Sequence, residues 1–288
     1  MSYYLAIDIG GTFVKYGKVD TKGNLLFKNQ IATPLNENEA ILNKVKEIIT
    51  LIIEGEGLPL GIGISTAGVV NSETGEIIYA GPTIPNYLGT NFKTSLEAKF
   101  AIPVHVNNDV KAALLGEQWQ GAAKGKMDVY CITLGTGIGG AYFHDQLVTG
   151  TSFKAGEVGY LLYEKETKTN YEERASTSAL KIRADKELGT SVNLIELFEK
   201  ARANDPDANR IIDAWTNDIA EGLAQIIILL DPQLLLIGGG VSKQGDFLLG
   251  KIEQQMENFL PKDFSKTVLK CTQLGNDAAL YGAVSNYF

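Results

Sequence analysis

Three glycine-rich turns stand where apolar strand patterns end, and their residue types suit phosphate binding. They are Asp8, Gly10, Gly11 and Thr12 in DIGGT, Gly135, Thr136 and Gly137 in LGTGIGG, and Gly238, Gly239 and Gly240 in GGG. Glycine exposes backbone N–H groups that can surround a phosphate, and threonine adds a hydroxyl donor. Asp8 could hold Mg²⁺ through water, and the third turn would pass close to the sugar or α-phosphate of a nucleotide. Each turn alone is more simply explained as a tight hairpin, but three together favour a ligand.

A second polar group, Asn107, Asn108 and Asp109, lies where a strand passes into a helix. A carboxylate at that position can accept a proton from a substrate hydroxyl, and an amide can hydrogen-bond another hydroxyl. These residue types are also good helix N-caps, so a structural role is an equal alternative. Asn86, which follows an Ile-Pro pair, offers one more amide, although a polar loop residue is the simpler interpretation.

The stretch AGEVGYLLYEKETKTNYEERAS, residues 155–176, contains two further acidic positions. Acidic loops are usually solvated surface. Glu157 differs because it stands between small residues and beside apolar ones, which makes it a candidate ligand-binding carboxylate. Glu172, in the acidic pair near the end of the stretch, is the candidate to join it.

The apolar periodicity around these residues indicates an α/β chain. Strands are predicted at 3–9, 14–19, 25–31, 60–65, 104–107, 129–134, 141–144, 234–237 and 268–271, and helices at 38–54, 109–118, 208–230, 245–259 and from 278. YLAIDIGGTFVKYGKV and VYCITLGTGIGGAYFH repeat one strand–turn–strand order, which indicates a duplicated lobe. We therefore expect two lobes that share a cleft: a smaller lobe over 1–118, a larger one over 119–276, and a last helix, about 277–288, packing back on the first.

Composition excludes several classes of protein. A net charge of -8 over 288 residues argues against nucleic-acid binding and against anionic membrane surfaces. The longest apolar run, Ile226 to Leu230, is too short to span a bilayer. Two cysteines form no disulfide framework and no pair at metal spacing, and the N-terminus lacks the basic region of a signal peptide. We expect a cytoplasmic protein.

Together these segments resemble the ROK family of sugar kinases, within the actin–hexokinase–Hsp70 superfamily, over nearly the whole chain. LAIDIGGTFVKYG and ITLGTGIGGA resemble the family's two phosphate loops, and VNNDVKAALLGE resembles its sugar-binding and catalytic segment. AGEVG resembles its sugar-binding turn, LLLIGGGVS its adenosine-side loop and DAALYGAV its closing helix. The resemblance implies two actin-like, ribonuclease H-like lobes around a central cleft.

The resemblance also implies roles for individual residues. The reaction would be ATP-dependent phosphorylation of a hexose hydroxyl, commonly the 6-hydroxyl, with Asp109 as general base. Thr12 and Thr136 would contact phosphates, Asp8 would attend Mg²⁺, and the protein would be a homodimer. The sugar would be lined by Gly68, Asn86, Asn108, Glu157 and Glu172.

Departures from the family pattern bear on the substrate. Many members continue Gly-Glu-x-Gly with His and a cysteine-rich zinc knot, whereas this chain has Tyr160 and no cysteine between Cys131 and Cys271. A structural zinc needs four N/S ligands, so we expect none. Without the knot the pocket should be roomier at the anomeric end, which favours a β-glucoside such as cellobiose, with Tyr160 stacking on its second ring. Glucose, N-acetylmannosamine and fructose are the alternative substrates.

Two questions stay open at this level. The family often has Lys directly after Gly-Gly-Thr, where this chain has Phe13, and Lys15 follows two residues later without an assigned role. The family also includes transcriptional repressors, so a non-catalytic sugar sensor is the second hypothesis. Repressors carry an N-terminal helix-turn-helix domain, whereas this chain begins its first phosphate strand by residue 4 and is acidic. We therefore favour a kinase.

Overall fold

The computed structural model describes residues 2–81 and 83–288 and divides the chain into two units. The first unit contains Met1–Gly125, Leu147–Ala155 and Asn276–Phe288, and the second contains Lys126–Gln146 and Gly156–Gly275. The first boundary follows Gly125 rather than residue 118, because the chain after the helix still packs on this unit. Ala123, for example, is buried and its N–H donates to the Glu117 carbonyl at 3.1 Å.

The first unit is a sheet with helices. Its elements, in chain order, are β1 (Tyr3–Ile9), β2 (Phe13–Asp20), β3 (Leu25–Ala32), α1 (Ala40–Glu56), β4 (Ile62–Thr66), β5 (Val69–Asn71), β6 (Glu76–Tyr79), α2 (Phe92–Phe100), β7 (Val104–Asn108) and α3 (Asp109–Gln120). The sheet order is β3-β2-β1-β4-β7, with β1, β4 and β7 parallel and the β1–β2 and β2–β3 pairs antiparallel. The β5–β6 hairpin stands apart from this sheet. Strand β4 is buried throughout and β1 at every position except Tyr4, as expected for parallel strands covered on both faces.

The second unit begins with β8 (Asp128–Leu134) and β9 (Ile138–His144), and the short strand β10 (Gln146–Val148) follows. Its further elements are α4 (Tyr171–Ala175), α5 (Thr177–Leu188), α6 (Leu194–Arg202), α7 (Pro206–Leu230), β11 (Leu234–Gly238), α8 (Asp246–Met256) and β12 (Val268–Cys271). The sheet contains β9-β8-β11-β12 in that order, with β8, β11 and β12 parallel. Each sheet thus places an antiparallel hairpin beside parallel strands, and the two hairpins, β1–β2 and β8–β9, are the strand–turn–strand segments that repeat in the sequence.

Helix α7 organises the core of the second unit. Asp205 caps it by accepting from the Ala208 N–H, and Pro206 occupies its first turn, where no N–H is needed. The apolar stripe along the helix buries Trp215, whose indole N–H donates to the carbonyl of Ala175 at 3.0 Å. The core of this unit therefore also fixes the end of α4.

The last helix, α9 (Ala278–Val284), packs on α3 in the first unit at a crossing made by small residues. A Cβ at Gly282 would lie 1.6 Å from the Ala112 carbonyl oxygen, and one at Gly116 would lie 2.1 Å from the Ala278 carbonyl oxygen. These distances leave no room for a methyl group, so the two backbones approach closely because both positions are glycine.

In the described part of the chain, no helix is long and apolar enough to cross a bilayer.

Candidate active site

Asp8 and Lys15 face each other across the β1–β2 hairpin, where their Cα atoms are paired in the register. The Lys15 Nζ lies 3.1 Å from the Asp8 Oδ2, and the buried Ser65 hydroxyl donates to the Asp8 Oδ1 at 2.8 Å. The Asp8 carboxylate is therefore oriented through both oxygens. Lys15, whose role the sequence left open, is the cation that balances the charge of Asp8.

The first glycine turn is closed by a hydrogen bond from the Gly10 N–H to the Phe13 carbonyl at 3.0 Å. Thr33 fixes it from outside, because its hydroxyl donates to the Gly10 carbonyl at 2.6 Å and its N–H donates to the Thr12 carbonyl at 2.9 Å. Gly11 and Thr12 are exposed at the tip. The carbonyls of Gly10 and Thr12 are therefore both hydrogen-bonded by Thr33, which holds the turn in place.

Polar side chains from three parallel strands meet at one edge of the first sheet. Asp8 of β1 is in register with Ser65 of β4, and Ser65 is in register with Asn107 of β7. Asn108 and Asp109 follow where β7 passes into α3. The carboxyl ends of parallel strands are where ligands bind in open α/β sheets. This edge therefore gathers the acidic and amide residues that the sequence indicated.

Asn108 connects the helix to the loop that contains Gly68. Its Oδ1 accepts from the N–H groups of Val110 and Lys111 at 3.0 and 3.2 Å, so Asn108 is the N-cap of α3. Its Nδ2 donates to the Gly68 carbonyl and to the Asp109 Oδ1, both at 2.9 Å. The Asp109 Oδ1 also accepts from the Val110 N–H at 2.9 Å. Asn108 is therefore a cap, as the structural alternative held, and it also orients Asp109.

The backbone conformations of Gly68 and Asn86 are both left-handed, with positive φ. Gly68 has φ of 92°, and a Cβ there would lie 2.7 Å from the Tyr79 carbonyl oxygen, so glycine is required. Asn86 is exposed and has φ of 54°, a conformation that asparagine tolerates. Its carbonyl accepts from the side-chain amide of the buried Asn36 at 2.9 Å. The backbone of Asn86 is therefore anchored while its side chain lies at the surface.

A buried tyrosine lies close to Asp109. The Tyr87 hydroxyl is 2.6 Å from the Thr66 hydroxyl, and both residues are buried. Burial raises the pKa of Tyr87 above its usual value, the hydrogen bond with Thr66 opposes the rise, and the charge of Asp109 adds to it. The Tyr87 phenol therefore stays protonated, and the negative charge of Asp109 contributes to this.

In the second unit, Glu172 lies against the second glycine turn. The turn is closed by the Gly135 N–H donating to the Gly137 carbonyl at 2.9 Å, and the Thr177 N–H donates to the Gly135 carbonyl at 2.9 Å. The Ile138 N–H donates to the Glu172 Oε2 at 2.7 Å. A Cβ at Gly137 would lie 2.4 Å from that same oxygen. Glycine at this position is therefore what allows the carboxylate to reach the turn.

Glu157 precedes the 3-10 helix Val158–Tyr160. Gly156, just before it, has φ of 97°, and a Cβ there would lie 2.1 Å from the Gly140 carbonyl oxygen on β9. The Gly156 carbonyl in turn accepts from the first N–H of the short helix at 2.7 Å. Only glycine can pass the strand this closely, so the glycine before Glu157 sets the path of the turn.

The two glutamates flank the same short helix. A Cβ at Gly159, inside it, would lie 3.2 Å from the Glu172 Oε2, while Glu157 is the residue before its start. Tyr160, at its end, is 59% exposed. The structure thus brings Glu157, Glu172 and Tyr160 around one turn of chain.

The third glycine turn follows β11. Gly239 has φ of 87°, and a Cβ there would lie 2.2 Å from the Leu134 carbonyl oxygen at the end of β8. The hydroxyl and the N–H of Ser242 both donate to the Gly239 carbonyl, at 2.8 and 3.1 Å. Gly238 ends the strand and Gly240 begins the 3-10 helix Gly240–Gln244. The third glycine turn therefore lies directly beside the end of β8, the strand that leads into the second glycine turn.

One glycine in each turn has no structural reason to be glycine. Gly10, Gly135 and Gly240 lack the left-handed backbone conformation. A Cβ would lie 3.5 Å from its nearest neighbour at Gly10, 3.9 Å at Gly135, and would meet nothing within 4 Å at Gly240. Thr136, next to Gly135, is exposed. The backbone at these three positions is therefore open on one side, as a turn that binds a phosphate-bearing ligand would require.

The segment between the two glutamates forms a small hairpin that the sequence pattern did not reveal. The Glu164 N–H donates to the Thr169 carbonyl at 2.7 Å, and Arg174 of α4 donates to the carbonyls of Leu162 and Thr169 at 2.8 and 3.0 Å. Asn170 and Glu173 form a capping box at the start of α4. Peptide hydrogen bonds and one arginine thus hold the segment that leads to Glu172.

Other residues of the site also went unnoticed in the sequence. Lys111 on α3 is buried and its ammonium donates to the Phe153 carbonyl at 2.7 Å, which ties Leu147–Ala155 to the first unit. Ser65 could have been inferred, because it is the polar residue at the end of the predicted strand 60–65. Within residues 2–81 and 83–288, no group of three His, Cys, Asp or Glu side chains is arranged to hold a metal ion.

Comparison with known sequences identifies one family that matches nearly the whole chain. Residues 4–286 match the ROK family. A β-glucoside kinase from Listeria innocua is 33% identical over 295 residues, which cover 98% of this chain and 96% of that protein.

Solved structures of related proteins have the same fold as this chain. A ROK family glucokinase from Streptomyces griseus, in complex with glucose and AMPPNP, is 29% identical with a TM-score of 0.84 and 98% coverage of each chain. A ROK family protein from Streptococcus pneumoniae, in complex with sucrose, is 28% identical with a TM-score of 0.86, covering 99% of this chain and 97% of that one. The α/β architecture described above is the actin-like ATPase fold of these proteins.

Proposed function

The chain belongs to the ROK family of sugar kinases, and we propose that it transfers the γ-phosphoryl group of ATP to the 6-hydroxyl of a β-glucoside such as cellobiose. The L. innocua relative, named for that class of substrate, supports the acceptor, and the S. griseus complex with AMPPNP supports the donor. The S. pneumoniae complex with sucrose supports room for two sugar rings.

Asp109 is the proposed general base. Two donors hold its Oδ1, from the Asn108 amide and the Val110 N–H, and this fixes the direction of the second carboxylate oxygen. That oxygen would accept the proton of the sugar hydroxyl as the hydroxyl oxygen attacks the γ-phosphorus. The bond from phosphorus to the β–γ bridging oxygen breaks, and ADP leaves. We propose that Gly68, Asn86, Asn108, Glu157 and Glu172 position the sugar for this attack.

The three glycine turns are the proposed phosphate and nucleotide contacts. The open sides of Gly10, Gly135 and Gly240 suit a ligand that approaches the backbone, and the hydroxyls of Thr12 and Thr136 add donors. Mg²⁺ would neutralise charge on the phosphates. The oriented carboxylate of Asp8, with the Ser65 hydroxyl beside it, fits a hydrated Mg²⁺, which prefers oxygen ligands and keeps several waters. Lys15 would limit the negative charge at that point.

One observation carries the choice of a β-glucoside: the ring of Tyr160 is 59% exposed at the end of the short helix that Glu157 precedes. An exposed aromatic face can pack against the apolar face of a sugar ring. A monosaccharide held by Glu157 would leave this ring uncovered, whereas a second glucosyl unit would cover it.

The test is a coupled assay of ADP release with cellobiose, glucose, N-acetylmannosamine and fructose. We expect the highest kcat/KM with cellobiose. Brisk turnover of a monosaccharide beside none of cellobiose would assign the chain to the alternative, a monosaccharide kinase. Tyr160→Ala should raise the KM for cellobiose roughly 2- to 10-fold, the effect of losing one stacking contact, and leave the KM for glucose unchanged. Tyr163→Ala, at a similarly exposed ring nearby, is the matched control.

We also propose a homodimer in the cytoplasm, formed through exposed helices of the second unit. The end of α7 supports this, since Ile228 and Leu229 are 49% and 73% exposed on consecutive positions. Leu229→Glu should then shift the mass measured by light scattering from dimer to monomer. A monomeric wild-type protein would contradict the proposal.

A further inference from the structure

The hydroxyl of Tyr130 is a buried polar group that the proposed reaction does not use. Tyr130 lies on β8 and is 2% exposed, and its Oη has no hydrogen-bond partner in the described part of the chain. A buried hydroxyl without a partner is unfavourable relative to one in water, and few native groups stay in that state without a role. Phenylalanine would fill the same space without this penalty.

Two observations place this hydroxyl beside the Gly156–Glu157 turn. A Cβ at Gly140 would meet the Tyr130 Oη at 2.1 Å and the Gly156 carbonyl oxygen at 2.9 Å, so both atoms lie around one point on β9. Burial raises the pKa of the Tyr130 hydroxyl, and Cys131 and then Glu157 raise it further. The hydroxyl therefore remains protonated and lies within the electrostatic range of the Glu157 carboxylate.

We propose that Tyr130 is a positioning residue for Glu157, an inference that rests on the sugar-binding role proposed for that glutamate. When the sugar binds, the Tyr130 hydroxyl donates to one carboxylate oxygen of Glu157, and the other oxygen accepts from the sugar. A hydrogen bond to a charged acceptor in a desolvated place is stronger than a neutral one.

The test removes one oxygen atom. Tyr130→Phe should leave the melting temperature unchanged or higher, because the deleted hydroxyl has no partner before the sugar arrives. The KM for cellobiose and for glucose should rise about tenfold or more, with kcat within about twofold, the pattern of lost binding rather than lost chemistry. Tyr3→Phe is the matched control, because the buried Tyr3 hydroxyl on β1 donates to the Gly57 carbonyl at 2.7 Å. That variant should lower the melting temperature and leave both KM values unchanged.

Glu157→Gln separates failure of this inference from failure of the role of Glu157. If Glu157→Gln raises the sugar KM and Tyr130→Phe does not, Tyr130 has no positioning role, whatever its melting temperature. If neither variant changes the KM, the sugar-binding role of Glu157 itself is wrong. In the positive case, Tyr130→Phe added to Glu157→Ala, which has no acceptor for the tyrosine hydroxyl, should change the KM by less than about twofold, because the two groups act as one unit. Full additivity would overturn the coupling.

Discussion

The carboxylate of Glu172 accepts a hydrogen bond from the N–H of Ile138 at 2.7 Å, which joins α4 to the second glycine turn. Glu172 is proposed to bind the sugar, and the turn that begins at Gly135 is proposed to bind phosphate. If both proposals hold, this one side chain would belong to both binding sites, and the loop before α4 would influence both substrates through it.

Glu172→Ala is accordingly expected to raise the KM for ATP as well as for the sugar. The variant removes the acceptor of the Ile138 N–H, a charge-assisted bond whose loss corresponds to roughly tenfold or more in affinity. Steady-state kinetics with each substrate varied in turn measure both values. Glu173→Gln is the control, since glutamine can keep the capping box with Asn170. An unchanged KM for ATP in Glu172→Ala would show that the turn does not depend on this carboxylate.

Asp109→Asn tests the general base. The asparagine carbonyl oxygen can still accept from Asn108 and Val110, so the side chain should keep its orientation. Sugar affinity, measured by calorimetry, should therefore stay close to wild type, while kcat falls by roughly 10² or more because the proton acceptor is lost. A kcat like that of the wild type would remove Asp109 from the mechanism.

The open glycines predict where ATP approaches the backbone. Gly135→Ala and Gly240→Ala should not destabilise the fold, because the added methyl group meets nothing closer than 3.9 Å. Each should raise the KM for ATP roughly tenfold, the effect of a steric clash of 1–3 kcal/mol in the bound state. Gly250→Ala, at an equally open position in α8, should leave the KM unchanged. Equal ATP kinetics in all three variants would mean that no ligand touches these glycines.

The crossing of α3 and α9 predicts a stability effect far from any ligand. Gly282→Ala would place a methyl group 1.6 Å from the Ala112 carbonyl oxygen, and overpacking of this kind costs about 1–3 kcal/mol. Gly55→Ala in α1, where nothing lies within 4 Å, should instead stabilise by up to about 1 kcal/mol. Urea denaturation measures both. Equal stability of the two variants would contradict the close approach of the helices.

Local patterns predicted much of the fold, whereas three helices and the contacts between distant residues were missed. The apolar run of Tyr3–Ile9 matches β1 at both ends, because a buried strand followed by Gly-Gly has few alternatives. Helices α5 and α6 were not predicted, and neither was α4, which lies in a stretch interpreted as a polar loop. The partner of Glu172 is 34 residues away in sequence, and no spacing rule indicates it.

The residue types of the candidate site were accessible from the sequence, whereas their partners were not. Asp109 was identified as a carboxylate at a strand end, but its orientation depends on the Asn108 amide, whose bonds depend on the folded loop of Gly68. Tyr130 gave no signal at all, because an aromatic residue in an apolar strand is ordinary. Its distinguishing property, a hydroxyl without a partner among the described residues, exists only in three dimensions.

The pairing of Asp8 with Lys15 across the β1–β2 hairpin limits how this part of the chain can evolve. Side chains alternate between the two faces of a strand, so inserting or deleting one residue between them would turn Lys15 to the opposite face. Substitutions at the tip of the turn keep the pair, whereas a change of length breaks it. Related sequences are therefore expected to vary in residue type between these two positions and to conserve the number of residues.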